Sequence, residues 1–524
     1  MSHTAQPGAV PAPVNVLSRA SNHTHGQILK SSVLIGGASV INMGLLAVRT
    51  KVMAVLLGAT GYGLMDLYWT IAELSRTVAG MGINNSGVRQ IAEAVGTGDD
   101  QRIARTVITL RRVSLILGAL GALLLVALCK PVSWFAFRDG DHAGSVALLA
   151  LAVFFGAVTA GQMALVQGMR RIADLARINI LGALYGTLFS IPIVYFLREQ
   201  GVVPSLICVA GMSIVTSWWY SRKVKVVRVH LTTAEVRQET SGLLKLGVVF
   251  MASVPMAMGA TFLIKVIVKR AIGSEALGYY QAAWQLSGVY VMFILQAMGT
   301  DFFPRLTAAA RDHAECNRLV NEQAEVGLLM AGPGVMGTLT LAPLVIHVFY
   351  TAEFAPAVEI LRWNCLGMLL RVASWPMSYT LLAKGARGLY FWSELASNAL
   401  QIGLVWACVQ GFGLKGTGIA FFTLAVCYWC AMYVIVRSLT GFRWSAMNKR
   451  VGLLFATLFA VVFGAWYVLP PMFVVALGTV LSLAVGYYSL KTICRLVPLD
   501  RLPRLVRSLL RVLKLTPTEP TSPS

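Results

Sequence analysis

The sequence predicts an all-α membrane protein that crosses the bilayer about fourteen times. The chain of 524 residues is 57% hydrophobic and only 13% charged, with a mean hydropathy of +0.70, whereas a soluble domain contains about 25% charged residues. Apolar stretches recur from Ser32 to Leu490, and at about 20 residues each they can cross a hydrocarbon layer of roughly 30 Å. A transmembrane β-barrel would instead show short segments of alternating hydropathy.

The chain also repeats itself. The glycine-rich turn Gly58–Gly63 separates two apolar stretches, and Gly273–Gly278 does the same at a spacing of 215 residues. Further along, Gln167–Arg170 corresponds to Lys384–Arg387 at a spacing of 217. Two related halves of about six helices each are typical of transporters whose substrate site lies between the halves.

The spans and the repeat together divide the chain. The predicted spans lie near residues 31–57, 64–83, 108–129, 145–166, 178–197, 202–220, 246–272, 279–301, 325–349, 356–383, 391–410, 416–436, 451–469 and 472–490. The predicted regions are a disordered tail (1–26), an N-terminal six-helix bundle (27–220), a linker (221–245), a C-terminal six-helix bundle (246–440), two extra transmembrane helices (451–490) and a basic tail (491–524). An even number of crossings places both termini on one side.

The positive charge is distributed unevenly. The net charge is +22, and most of the 44 Lys and Arg residues lie in loops and in the C-terminal tail that would face one side. That side is therefore predicted to be the cytoplasm, with both termini on it and the glycine turns on the opposite rim. We interpret the basic charge as an orientation signal and an attraction for anionic membrane lipids, and we predict no nucleic-acid partner.

Several cations fall inside the predicted spans. The first span holds Arg49 and Lys51, the seventh holds Lys265 and Lys269, and the tenth holds Arg371. A charge at the bilayer centre costs about 3 kcal/mol on insertion scales, so it usually faces a cavity or a partner. Because the first and seventh spans correspond in the repeat, these five residues are predicted to line a cationic cavity for an anionic substrate. For Lys269 the alternative is a position at the membrane interface.

The second span carries both signs of charge. It holds Asp66, Glu73 and Arg76, and the three-residue spacing of Glu73 and Arg76 allows them to pair on one helix face. These residues are candidates for gating or for coupling to H⁺ or Na⁺, and a purely structural pair is the alternative. At the 215 spacing Asp66 corresponds to Gln281 and Glu73 to Gly288. Coupling through these carboxylates would therefore belong to the N-terminal half.

No motif predicts chemistry. The sequence lacks a Walker A motif, a His/Cys metal cluster and a catalytic aspartate pair. The eight cysteines are scattered, and Cys427 and Cys430 fall inside a predicted span, where small core residues are expected. We therefore predict that the protein is not an enzyme and holds no metal or other cofactor.

Motifs along the chain carry a resemblance to a known family. They are Leu29–Ser32, Lys51–Leu64, Phe303–Leu306, Tyr350–Phe354 and Gly413–Gly418. In order and spacing they resemble bacterial O-antigen translocases, the Wzx-type polysaccharide flippases of the multidrug/oligosaccharidyl-lipid/polysaccharide (MOP) exporter superfamily, over about residues 27–445. The resemblance implies two pseudo-symmetric six-helix bundles in a MATE-like V shape with two extra C-terminal helices.

The resemblance also implies a function. Such a protein would lie in the bacterial inner membrane and flip an undecaprenyl-pyrophosphate-linked oligosaccharide from the cytoplasmic to the periplasmic leaflet by alternating access. The glycan would be an O-antigen, capsule or exopolysaccharide repeat unit. Its partners would be this lipid-linked substrate and membrane lipids, with a polysaccharide polymerase and a chain-length regulator as further candidates.

Three alternatives remain open. A lipid II flippase for peptidoglycan would share the architecture and the cationic cavity. A multidrug or cation antiporter of the same superfamily would need an acidic, aromatic cavity, whereas these spans hold more cations than carboxylates. A membrane-bound polymerase or ligase would need a sizeable periplasmic loop, and the predicted periplasmic loops are short.

Overall fold

A computed structural model of the chain describes residues 14–224 and 254–496, with a few isolated positions between them, and describes side chains from Ile41 onward. All regular elements in this part are helical. Most of the predicted linker 221–245 and of the basic tail 491–524 lies outside the described residues.

The first half consists of seven helices. They are α1 (Val14–Gly80), α2 (Ile83–Thr97), α3 (Asp100–Ala127), α4 (Cys129–Phe137), α5 (Ala143–Gly168), α6 (Ile172–Leu197) and α7 (Val202–Ser221). Gly58 divides α1 into two helices because its φ of +63° and ψ of −172° are not helical, a backbone conformation that favours glycine. The break confirms the predicted turn between the first two spans.

The second half and the C-terminal helices follow. They are α8 (Val254–Ile272), α9 (Ser274–Ala308), α10 (His313–Thr340), α11 (Ala342–Phe349), α12 (Ala357–Ala383), α13 (Arg387–Phe412), α14 (Gly416–Thr440), α15 (Ala446–Val468) and α16 (Pro471–Leu496). The last two are the predicted extra helices, and both pack against α10.

The helix α1 begins earlier than the sequence analysis expects. It starts at Val14, inside the segment 1–26 that was predicted to be a disordered tail. The residues between Pro13 and Gly26 contain neither proline nor glycine, so no residue in this stretch breaks the helix.

Each predicted span overlaps a helix of the structure. Seven helical stretches in the described part are long and apolar enough to cross a membrane, or nine if two bent pairs are each counted as one span. Three of the seven contain 40, 50 and 54 residues, more than the roughly 20 that one crossing needs, because each joins two successive helices. The fold is thus compatible with fourteen crossings, and that number stays a prediction.

The backbone reproduces the internal repeat. At the corner between α5 and α6, the Arg171 N–H donates to the Val166 carbonyl at 3.1 Å. At the corner between α12 and α13, the Ala386 N–H donates to the Leu381 carbonyl at 2.9 Å. These bonds are related by 215 residues, so the spacing of 217 derived from the sequence motif is wrong here.

The spacing of 217 pairs Gly168 with Gly385, whereas the backbone geometry pairs Gly385 with Arg170. Gly385 has a φ of +71° and corresponds structurally to Arg170, whose φ is +55°. Gly168 instead allows close packing of α5 against α2, since a Cβ atom there would lie 2.8 Å from the Ile91 side chain. The two glycines are therefore not equivalent.

The two glycine turns meet at one end of the molecule. A Cβ atom on Gly63 would lie 2.6 Å from the Ser274 carbonyl oxygen, and one on Gly278 would overlap the Ala59 carbonyl. Only glycine permits this backbone-to-backbone approach. We call this end the glycine rim, defined by residues 58–63 and 273–278; the charge distribution predicts that it faces the periplasm.

Candidate functional site

A cavity of about 430 Å³ opens inside the N-terminal half. Its lining includes Arg49, Trp69, Glu73 and Arg76 of α1, Gln167 of α5 and Ser213 of α7. Three residues that the sequence analysis singled out therefore lie together in one space. Lys51 and Lys265, by contrast, bind groups elsewhere.

Glu73 and Arg76 form the pair that their spacing predicts. The Arg76 Nε donates to Glu73 Oε2 at 2.9 Å, and its Nη2 donates to the other carboxylate oxygen. Such a two-point contact is strong and directional. Arg49 has no carboxylate partner among the described residues, so it supplies the uncompensated positive charge of this cavity.

Arg371 occupies the corresponding place in the C-terminal half. It lies in the middle of α12 and is nevertheless exposed. Glu394 of α13 and Tyr428 of α14 are its electrostatic neighbours, and the Tyr428 hydroxyl donates to Glu394 Oε1 at 3.2 Å. The sequence analysis selected Arg371 and missed these two partners, because their helices meet only in the folded bundle.

In each half an arginine side chain lies near the same position of the repeat, but the two arginines come from helices that do not correspond in the repeat. At the 215 spacing Arg371 corresponds to Gly156. A Cβ on Gly156 would lie 2.6 Å from Arg76 Cδ, so the Arg76 side chain occupies the space next to that position. The signal in the sequence is a glycine at the repeat position where the other half has an arginine.

Asp66 and Lys265 bind each other across the halves. Lys265 Nζ lies 2.6 Å from Asp66 Oδ2 and donates to Thr70 Oγ1 at 2.7 Å. The two charged side chains are only 5% and 6% exposed. Lys265 therefore compensates a buried carboxylate in this conformation, rather than presenting a free charge to an anionic substrate.

Lys51 also holds the halves together. Its Nζ donates to the carbonyls of His347, at 2.7 Å, and Tyr350 at the C-terminal end of α11, where the helix dipole favours a cation. In the opposite direction, the Ala59 N–H donates a hydrogen bond to Glu353 Oε1 of the C-terminal half at 2.9 Å, next to the break at Gly58. These contacts form a reciprocal clamp beside the glycine rim.

Lys269 lies at an interface between helices. Its Nζ is 3.9 Å from the centre of the Phe137 ring of α4. The neighbouring Arg270 stacks on Phe135 and donates to its carbonyl. Aromatic rings attract cations in this geometry, so Lys269 contacts an aromatic ring of a neighbouring helix here, and its position at the membrane interface stays a prediction.

Nothing in the described residues forms a metal centre. No group of three or more His, Cys, Asp or Glu residues there could hold a metal ion. The arrangement instead provides arginines in each half and a set of polar contacts between the halves, which is suited to binding and releasing an anion.

Known proteins of similar sequence include flippases. Residues 52–359 match the model of the family described as "Polysaccharide biosynthesis protein". The chain is 20% identical to the lipid III flippase of Escherichia coli K12, over 78% of this chain and 99% of that protein. It is 20% identical to the probable low-salt glycan biosynthesis flippase Agl15 of Haloferax volcanii, over 75% of this chain and 80% of that protein. The resemblance to polysaccharide flippases is thus confirmed.

Solved structures show the same fold. The lipid II flippase MurJ in an inward closed conformation is 13% identical, covering 88% of this chain and 99% of that one, with a TM-score of 0.66. An inward-facing multidrug resistance MATE family transporter of the MOP superfamily is 14% identical, covering 76% and 98%, with a TM-score of 0.65. The predicted all-α fold of two helical bundles is therefore confirmed.

Proposed function

Because the chain belongs to the polysaccharide biosynthesis protein family, we propose that it is a flippase for a lipid-linked oligosaccharide. The substrate would be an undecaprenyl-pyrophosphate-linked repeat unit of O-antigen, capsule or exopolysaccharide. It would pass from the cytoplasmic to the periplasmic leaflet of the bacterial inner membrane. The names of the E. coli and H. volcanii relatives support the flippase activity.

The equivalent arginines of the two halves are the observation that carries the proposal. A diphosphate has several acceptor oxygens, and arginine binds such groups through paired hydrogen bonds. Arg49 and Arg76 would contact it from the N-terminal half and Arg371 from the C-terminal half. An anion bound to both halves links their relative position to substrate binding, which alternating access requires.

Glu73 gives this site a coupling mechanism. The carboxylate now neutralises Arg76, and the diphosphate would have to replace it. Protonation of Glu73 would remove its charge and release Arg76 for the substrate, so H⁺ is the simplest coupling ion; Na⁺ bound by the same carboxylate is the alternative.

The contacts between the halves supply the gate. Asp66 with Lys265, and Lys51 with the end of α11, join the halves close to the glycine rim. Release at that rim requires these contacts to break. Lys51 and Lys265 thus would act in the conformational cycle, whereas the three arginines would act on the substrate.

A complementation assay tests the proposal. Arg76→Ala and Arg371→Ala should each abolish surface polysaccharide in a deletion strain, while lipid-linked glycan accumulates facing the cytoplasm. Arg89→Ala is the matched control, because Arg89 is a largely exposed residue of α2 whose pair with Glu93 lies outside the cavity. All variants should reach the membrane in equal amounts by immunoblot. Normal polysaccharide in both cavity variants would contradict the assignment.

A lipid II flippase is the second candidate, since MurJ shares the fold over most of the chain. Rescue of peptidoglycan synthesis in a strain depleted of its own lipid II flippase would favour it. A cation antiporter is a weaker candidate because the described cavity residues include more arginines than carboxylates. A polymerase and a chain-length regulator remain proposed partners, and crosslinking in the membrane would test them.

A further inference from the structure

A second pocket lies on the outside of the C-terminal half. Its volume is about 590 Å³, and it lies where α12 begins and where α13 passes into α14. Its lining includes Pro356, Glu359, Arg362, Phe412, Leu414 and Lys415. This pocket shares no lining residue with the arginine-lined cavity of the N-terminal half.

The pocket presents two cations without ion-pair partners among the described residues. The Arg362 guanidinium stacks 3.7 Å from the centre of the Trp466 ring, and its Nε is buried without a hydrogen bond. Lys415 is exposed. Glu359 is the carboxylate among the lining residues; it accepts the Tyr467 hydroxyl at 3.4 Å and acts electrostatically on Arg362 without forming an ion pair with it. The Arg362 and Lys415 side chains line the pocket together, so an oxygen-rich anion there would pair with two positive charges.

The position of the pocket indicates where that anion comes from. Glu353, just before α12, contacts the backbone at Gly58 and Ala59, so the start of α12, where the pocket lies, is next to the glycine rim. Arg362 follows the first residue of α12 by five positions, which places it about 7.5 Å along the helix from its start at 1.5 Å per residue. Arg362 therefore lies close to the end of the molecule that carries the rim.

Exposed aromatic and apolar side chains surround the pocket, as expected for a site at a membrane interface. Phe412 is 54% exposed, Tyr467 is 59% exposed and Val468 is 82% exposed. Aromatic residues collect at the headgroup level, with apolar residues facing the acyl chains. A lipid can therefore bind the charged site with its headgroup and the adjacent apolar surface with its acyl chains, whereas a free phosphate ion can bind only the charged site.

The repeat does not account for this pocket. At the 215 spacing Arg362 corresponds to Ala147 and Lys415 to Gln200. Trp466 belongs to α15, which lies outside the repeat altogether. The site thus exists only where the extra helices pack on the C-terminal half, which separates it from the cavity that the two halves share.

We propose that this pocket binds the phosphate headgroup of an anionic phospholipid in the leaflet at the glycine rim. Arg362, oriented by Trp466, and Lys415 bind the phosphate oxygens, and the acyl chains lie along the exposed apolar surface beside Val468. The bound lipid would stabilise the packing of α15 against the start of α12. This inference does not depend on which glycan the protein carries.

Native mass spectrometry of the purified full-length protein tests the site. The protein is reconstituted in nanodiscs of phosphatidylglycerol mixed with phosphatidylcholine, and the co-purifying phosphatidylglycerol is measured. Arg362→Gln combined with Lys415→Gln should reduce its retention by about a hundredfold, since the loss of each charge-assisted hydrogen bond to the phosphate weakens binding about tenfold. Lys415→Gln alone, at an exposed position, should give a smaller loss and cannot be attributed to misfolding.

The controls distinguish the sources of phosphate. Lys130→Gln with Arg138→Gln makes the same charge change at exposed residues of the N-terminal half and should leave retention unchanged. Inorganic phosphate at millimolar concentration should not displace the lipid. Equal retention in the two double variants, displacement by inorganic phosphate, or loss of lipid-linked glycan binding in place of phospholipid binding would each overturn the proposal.

Discussion

The buried pair of Asp66 and Lys265 gives the most demanding prediction. The two groups lie 2.6 Å apart and are almost completely buried. Replacing one of them leaves the other charge buried without compensation, which costs about 3–5 kcal/mol. Replacing both with apolar residues of similar size is often neutral. Asp66→Leu and Lys265→Met should therefore each destabilise the protein by that amount, and the double variant should recover most of the loss.

The measurement is a double-mutant cycle. The free energy of unfolding of each purified variant is obtained from a reversible titration with SDS, and the coupling is the departure of the double variant from the sum of the singles. Arg89→Met and Glu93→Leu form the control cycle. Their groups lie at a similar distance of 2.8 Å but are 57% and 49% exposed, so a coupling below about 1 kcal/mol is expected.

The refuting result is additivity. If the double variant loses as much as the two single variants together, then Asp66 and Lys265 do not compensate each other and the described contact between the halves is not formed. A coupling equal to that of the exposed control pair would contradict the reasoning in the same way.

Three further predictions follow from the packing of the halves and the cavity. Gly278→Ala should lower the thermal unfolding midpoint and export, because its Cβ would overlap the Ala59 carbonyl; Gly259→Ala, with nothing within 4 Å, should change neither. Glu353→Gln should weaken the clamp beside the glycine rim, because a neutral amide accepts the Ala59 N–H about 1 kcal/mol less well than a carboxylate; cysteine labelling at the rim should then rise, and unchanged labelling would argue against the clamp. Gly156→Ala should displace Arg76 and reduce surface polysaccharide severalfold, while Gly182→Ala, which meets no neighbour, should retain it.

Much of the fold is predictable because it depends on local patterns. Apolar stretches long enough to cross a bilayer predict helices, and each predicted span overlaps one. The break at Gly58 follows from a glycine cluster between apolar stretches. The Glu73–Arg76 pair was also predictable, since residues three apart on a helix are neighbours.

The candidate site was less predictable because it depends on contacts between helices far apart in the chain. The sequence predicts cations at depth but not their partners, so Lys51 and Lys265 were grouped with Arg49 and Arg371. In the fold, Lys265 meets Asp66 and Lys51 meets the end of α11. Both contacts cross from one half to the other.

The sequence by itself determined the membrane class, the two related halves and the presence of charges within the spans, because hydropathy and repeat spacing are properties of the chain. The tertiary structure alone decided which of those charges face a cavity and which compensate one another. Arg76 illustrates the difference. Its position next to Gly156, where the other half carries Arg371, arises from the packing of α1 on α5. A buried charge is defined by its neighbours in space, and those neighbours exist only once the helices have packed.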